Sequence, residues 1–435
     1  MTMARGVQWA VAVLATGVTM APLIGGPGTD QAGIDAPVMN QPGAGQPVAD
    51  ALGINPPVTV KLLDGSVMTG SLVDVSGQTL ALRVEGATRQ VAVDDVSEVA
   101  FSPAHRPVAG AGQCMLLLDG GGRLDGSLGT AAGDGVLLRS PRLGALTVPF
   151  ERIAAVRWPV DGARSEADAL WTERQSDRLA SADVLITRGD HPKALRGTVL
   201  AIGPTLCRFL FNGSERGVRT EKVFGIVFAD AGHGNRRKRN AVVRLDDGER
   251  LGCRIEQCGD AVLIADAGFA EAVRIPIEHI VRISFSSSRV VYLSDLPITT
   301  RRYTGIIHTS RPVRLDRNVA NQPIRLGGRT YAKGIGMQSD SAVIFDLAEP
   351  YAFLAATIGV DDAVGSAGSV TFTVSLDGQV AYSKKMTGRD EPVSIVVPLE
   401  GAGRLSIGAG DGGDTDVSDW ADWGAVRLVR PKSSS

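Results

Sequence analysis

Between Val58 and Ser286 the apolar positions fall into one recurring pattern of short, alternating segments, best seen where each copy closes. Val96, Val99 and Phe101 line up with Ile153, Val156 and Trp158, with Val223, Ile226 and Phe228, and with Ile280, Ile283 and Phe285. Each copy opens with an apolar stretch running into a turn: LLDG at Leu62 to Gly65, LLDG at Leu117 to Gly120, RGD at Arg188 to Asp190, LDDG at Leu245 to Gly248. A Gly-x-Leu-like step follows at Gly70, Gly126 and Gly197, and the fourth copy keeps Gly252 in an irregular version. A unit of about 45 residues has room for four or five short strands, and units this small hold a core only by packing on one another, here expected pairwise. The closing aromatics recur at intervals of 57, 70 and 57 residues, which suggests a duplicated pair. The added length in the middle is SEADALWTERQSDRLAS, a helix candidate with Ala167, Leu170, Trp171, Arg174 and Arg178 on one side.

The period of two continues toward the C-terminus. Val370, Phe372, Val374 and Leu376 alternate with Thr371, Thr373 and Ser375, and Asp377-Gly378 then predicts a tight hairpin toward Val380 and Tyr382. Val393, Ile395 and Val397, then Leu405 and Ile407, repeat the alternation, so each strand buries one face and wets the other. Composition agrees: 53 glycines and 5% aromatics fit short strands joined by turns, and 44% hydrophobic residues supply real cores. A net charge of −2 gives no bulk reason to expect nucleic acid or an anionic membrane as partner.

At the N-terminus Arg5 precedes an apolar run from Val7 to Leu23 without an internal charge. Residues 1–24 read as a signal peptide or N-terminal anchor, and 25–57 as a flexible Pro/Gly-rich linker. The expected location is therefore exported: secreted, periplasmic or cell-surface, touching a membrane only through that anchor. Four cysteines, Cys114, Cys207, Cys253 and Cys258, make no metal signature and read as buried thiols, although an exported protein allows a disulfide.

Four segments at the C-terminal end stand in a recognisable order: YLSDLP from Tyr292, LGGRTYAKGIGMQSD from Leu326, IGVDD from Ile358 and DVSDWADWGAVRL from Asp416. Together they resemble the NPCBM family of carbohydrate-binding modules, galactose-binding-like β-sandwiches often appended to glycoside hydrolases. The resemblance runs from Val290 to Pro431. In the barrel region, the order of apolar strand, DG turn, Gly-x-Leu strand and closing strand looks like the Sm-like pattern, without implying an RNA-binding role. The expected fold is all-β: tandem small SH3-like or Sm-like barrel repeats over 58–160 and 183–286, a helical linker at 161–182, then a galactose-binding-like jelly-roll β-sandwich over 290–431.

Sugars are recognised by an aromatic face against their C–H patch and by carboxylates or amides on their hydroxyls. Asp411, Asp414, Asp416, Asp419 and Asp422 interleave with Trp420 and Trp423. The ligand-binding candidates are Gln338, Asp361, Asp362, Asp419 and Trp420; equally, Trp420 reads as core and the aspartates as turn formers. Oxygen ligands in such a loop leave a structural calcium open, and no other cofactor is expected. This sequence departs from the family pattern twice, with Gln338 and Val417 where the family has histidines. The five histidines (His105, His191, His233, His279, His308) form no metal or triad spacing, and the run Arg236, Arg237, Lys238, Arg239 reads as a solvated connection. The expectation is an exported, non-catalytic protein that presents a glycan-binding module on β-barrel repeats. A structural or adhesive surface protein, whose module binds other surface proteins, is the second reading.

Overall fold

The computed structural model describes residues 57–102, 114–130, 135–159, 166–176, 182–229, 240–259, 261–303, 312–413 and 419–432. The export signal, the linker up to residue 56, the basic run at 236–239, Arg178, Asp414, Asp416, Val417 and three of the histidines (His105, His233, His308) lie outside the described residues. Among the described residues no helix is long and apolar enough to cross a membrane.

Among the described residues the chain is all-β apart from one helix and short 3₁₀ turns. Repeat 1 shows the plan: strands Pro57–Leu62, Val67–Ser76, Thr79–Val84 and Ala87–Ala92, a 3₁₀ turn at Val93–Asp95, then the closing strand Val96–Phe101. The first strand pairs with both the second and the closing strand, Val60 facing Met68 on one side and Val99 on the other. That order, with the 3₁₀ turn ahead of the last strand, is a small SH3-like barrel. It recurs in all four copies, whose closing strands are Val96–Phe101, Ile153–Arg157, Val223–Val227 and Ile280–Phe285. Val96, Val99, Ile153, Val156, Val223, Ile226 and Ile283 of the aligned columns are fully buried, each worth about 1.5–3 kcal/mol of burial.

The recurrent glycine has a steric cause. A Cβ on Gly70, Gly126 or Gly197 would stand 2.5, 2.4 or 2.2 Å from a carbonyl oxygen of the third strand, because the second strand crosses over it there. These glycines face Val58, Cys114 and Asp183; in the fourth copy the same register position, opposite Ala241, belongs to Cys253 and not to Gly252. All four cysteines are buried free thiols, and burial pushes Cys114, Cys253 and Cys258 up to about 12.

The repeats pack pairwise, but the partners are not sequence neighbours. The closing strand of repeat 2 pairs antiparallel with that of repeat 3, Val156 opposite Ile226, and the closing strand of repeat 1 with that of repeat 4, Val99 opposite Ile283. Each pair therefore has a local twofold relation about the same column. The pairing uses the edge that a closing strand leaves free after bonding its own first strand. One hydrophobic core runs through all four units.

Two further contacts matter. The helix Glu166–Ser176 lies on the repeat 2–3 junction, with Ala167 and Trp171 buried against Ala155, Val184, Ile186 and Phe224. Repeat 4 touches repeat 2 through Glu249, wholly buried, whose carboxylate oxygens accept hydrogen bonds from the Asp125 backbone N–H at 2.9 Å and the Ser140 hydroxyl at 3.0 Å. Burial, reinforced by the charges of Asp247 and Asp125, pushes Glu249 up to about 8.

The C-terminal third is a sandwich of two antiparallel sheets. One has the strand order Arg314–Leu315, Gly334–Gln338, Trp420–Val429, Phe353–Val360, Val393–Pro398, with Val290–Tyr292 added to the last strand of the chain. The other runs Thr300–Tyr303, Ser341–Asp346, Arg404–Gly410, Ser369–Leu376, Gln379–Thr387. Trp423 and Phe372 meet edge to face between the sheets, ring centroids 5.3 Å apart. The expected hairpin turns at Asp377 and Gly378, both with positive φ (49° and 88°) as a tight turn of this kind demands. Salt bridges from Arg289 and Lys432 to Asp95, and the Ser287 hydroxyl donating to Asp94 at 2.8 Å, fasten the sandwich's terminal strands to the 3₁₀ turn of repeat 1.

Candidate functional site

Three strands of the first sheet end side by side, and the five predicted residues gather there. Gln338 ends one strand, Asp361 and Asp362 follow the next, and Asp419 leads into the last strand at Trp420. Gln338 pairs directly with Trp420, Ala421 with both Met337 and Val360, and the Asp361 N–H donates to the Trp420 carbonyl at 3.1 Å.

The aspartates organise the chain around this edge. Asp419, 1% exposed, accepts the Ser369 N–H on its carboxylate at 2.8 Å, while its carbonyl accepts the Ser339 N–H at 2.9 Å. Since Ser369 opens a strand of the opposite sheet, Asp419 ties the two sheets together. Asp361, also 1% exposed, accepts the Ala363 N–H at 2.8 Å and the Asn318 amide at 3.1 Å. Asp362 is exposed and accepts two N–H groups, from Gly327 at 2.7 Å and Gly328 at 2.8 Å, thereby clamping the tip of the hairpin Ile324–Leu326 with Arg329–Tyr331. Charge-assisted bonds to backbone N–H groups are among the stronger neutralisers of a carboxylate.

That hairpin and the segment before it lie flat on the outer face of the sheet, and glycines make the approach possible. A Cβ on Gly336 would stand 2.5 Å from the Arg317 carbonyl oxygen, and one on Gly424 would stand 2.9 Å from the Tyr331 ring. Beneath this cover sits Asp422, fully buried, facing Gly336 and Gly359 across its two neighbouring strands. Burial pushes its carboxyl well above the usual carboxylate range, and the nearby charges of Asp361 and Asp362 push it the same way.

Asn318 is the residue that sequence reasoning missed. It is 1% exposed, its side-chain Nδ2 donates to Asp361, and its side-chain Oδ1 accepts the N–H groups of Ala320 and Gln322 at 3.0 and 2.8 Å. An Asn within the polar run RNVANQ was its signal, since Asx turns form in such company. Among the described residues the edge offers outward the partly exposed pair of Gln338 and Trp420, one amide and one indole as cross-strand neighbours, beside the exposed Asp362. Among the described residues no group of three or more His, Cys, Asp or Glu side chains could hold a metal ion.

Residues 289–429 match the family described as the NPCBM/NEW2 domain, and this third of the chain is an NPCBM domain, a module of the carbohydrate-binding type. A provisionally named endo-alpha-N-acetylgalactosaminidase of Renibacterium salmoninarum is 32% identical over 108 residues, 25% of this chain and 7% of its own length. Alpha-1,3-galactosidase B of Akkermansia muciniphila is 33% identical over 131 residues, 29% of this chain and 16% of its own. The chain thus spans only a small part of those relatives. Among solved structures, CBM51 from Clostridium perfringens GH95 in complex with methyl-galactose is 27% identical, with a TM-score of 0.29, covering 32% of this chain and 99% of that one.

Proposed function

We propose, taking the NPCBM domain as premise, that this is an exported, non-catalytic glycan-binding protein whose barrels carry the sandwich and whose ligand meets Gln338 and Trp420. The observation that carries this reading is the register pair itself: an indole beside an amide, both partly exposed, at the strand edge of a family module. The indole face suits the C–H side of a pyranose and the amide suits its hydroxyls. Asp361, Asp362 and Asp419 serve this site as positioning residues, because their carboxylates hold backbone N–H groups. The same use of those carboxylates supports a non-catalytic role, since a hydrolase needs a pair of carboxyls flanking the substrate. Export is supported by the uncharged apolar run behind Arg5.

Galactose-type sugars are the first ligands to try, because the names of both relatives refer to galactosides or N-acetylgalactosaminides. The test is a glycan array with the full chain, with Trp420→Ala beside it, in calcium and in chelator. Binding that Trp420→Ala abolishes while leaving the melting curve in place marks the indole as the contact. A folded chain that stays blank on a broad array sinks the glycan reading and favours an adhesive module that binds protein. Loss of binding in chelator would add a calcium ion.

A further inference from the structure

A second concave site lies away from the strand edge, where the repeat 1–4 junction faces the sandwich. This cleft of about 270 Å³ is lined from the barrels by Lys61, Glu98 and serines, and from the sandwich by Tyr292, Arg329 and Arg427. Its charges do not balance. Among the described residues of the lining Glu98 is the one carboxylate, and it already accepts from Arg282 at 2.6 Å and Arg329 at 3.4 Å. Lys61 donates to the Ser394 hydroxyl at 3.2 Å and Arg427 to the Ala425 carbonyl at 3.2 Å, both neutral partners. Three cations of the lining, together with Arg282 outside it, thus share one anion. Burial, then the charge of Arg427, pushes Lys61 down; burial pushes Arg427 down against an opposing effect of Tyr292, with Arg329 adding a smaller push downward. Half-buried like charges of this kind repel one another and are relieved by an anion placed among them. The Arg329 guanidinium lies over the Tyr331 ring, 5.2 Å from its centroid, which holds its donors at the mouth of the cleft.

We propose that this cleft binds the anionic group of a saccharide, a carboxylate or a sulfate ester, between Lys61, Arg329 and Arg427. Arginine forks match both groups in geometry, and the serine hydroxyls and tyrosines of the lining suit the attached sugar ring. The saccharide half of the proposal rests on the glycan reading above, whereas the anion half rests on the charges alone.

The test is calorimetry on the full chain carrying Trp420→Ala, which removes the strand-edge contact, titrated with glucuronic acid, galactose 6-sulfate, galactose and sodium sulfate. Either sugar acid is expected to bind, more weakly as salt rises, with galactose giving no heat. The two sugar acids tell carboxylate from sulfate ester. Arg329→Gln and Lys61→Gln, added singly, are each expected to weaken that binding at least tenfold, with circular dichroism confirming that each variant is folded. Arg329 is 56% exposed, so its replacement leaves the fold intact. Sugar acids that bind no better than galactose, or that bind equally in the Arg329→Gln and Lys61→Gln variants, overturn the proposal. Sodium sulfate binding as tightly as galactose 6-sulfate overturns its saccharide half. A blank result for neutral glycans on the array would leave these readouts untouched, so the two readings fail separately.

Discussion

On the outward side of the repeat 2–3 junction the closing strands present Ala155 and Gly225, and Trp171 of the helix lies on that glycine, where a Cβ would come within 2.4 Å of the ring. At the same column of the repeat 1–4 junction stand Glu98 and Arg282, paired at 2.6 Å. The inner pair is roofed by an aromatic side chain on small residues, with Arg157 held at 2.5 Å from Asp168 and stacked near Trp171 and Phe224. The outer pair carries charge and is roofed by a whole domain standing off from it. One strand contact, used twice, has thus yielded a filled joint and an open one, and a few side chains decide which. A tryptophan needs a smooth floor, whereas a charged pair keeps its surroundings polar and leaves space.

The largest expected effect falls on the filled joint. Trp171→Ala removes a 4%-exposed indole and is expected to cost about 3–5 kcal/mol, read as a lower midpoint in urea unfolding. An equally stable variant would mean the helix does not hold the pair. Next comes Glu249, where repeat 4 meets repeat 2. Its folded value, about 8, stands above its ordinary 4.5, so the folded state binds the extra proton between those limits. Its contribution is full below pH 4.5 and is lost as pH rises through 8, by up to about 1.4 kcal/mol per pH unit. Glu249→Gln should flatten that slope in melting curves taken from pH 5 to 8, and an unchanged slope would place the titration elsewhere. Gly225→Ala should cost about 1–3 kcal/mol by overpacking against Trp171, and much of that cost should vanish in a Trp171→Ala background if the ring is what it meets. The smallest effect belongs to the open joint: Arg329→Gln should change unfolding by less than about 1 kcal/mol, since Arg329 is largely exposed and Glu98 keeps Arg282 as its partner.

The barrel units were readable because each closing strand repeats the same buried columns, and a period of two with one wet face leaves little freedom in register. Their partnership was not readable. All four closing strands have the same spare edge, and the choice of 1 with 4 over 1 with 2 depends on contacts such as Glu98 with Arg282, 184 residues apart. Local pattern carries no such information. At the strand edge three of the four motifs converge, because they end neighbouring strands, while YLSDLP pairs with the far end of the last strand, Tyr292 opposite Arg427. The work of each aspartate stayed hidden, because a carboxylate's partner here is a backbone N–H whose position depends on the path of another loop. Asn318 was overlooked for the same reason, and Cys253 because its neighbour Gly252 mimics the repeat while standing one place out of register.

The pairing of 2 with 3 inside 1 with 4 is nested like brackets in a sentence. The inner bracket closes over 70 residues, from Val156 to Ile226; the outer cannot close until Ile283 has arrived to meet Val99. Closing the longer span costs only about 0.8 kcal/mol more in chain entropy, so the difference lies in timing. As the chain emerges from its N-terminus, repeat 1 must wait with an open edge while repeats 2 and 3 find each other. The cleft under the sandwich is accordingly the last surface to come into being, and a chain that displays it has already been proofread from end to end.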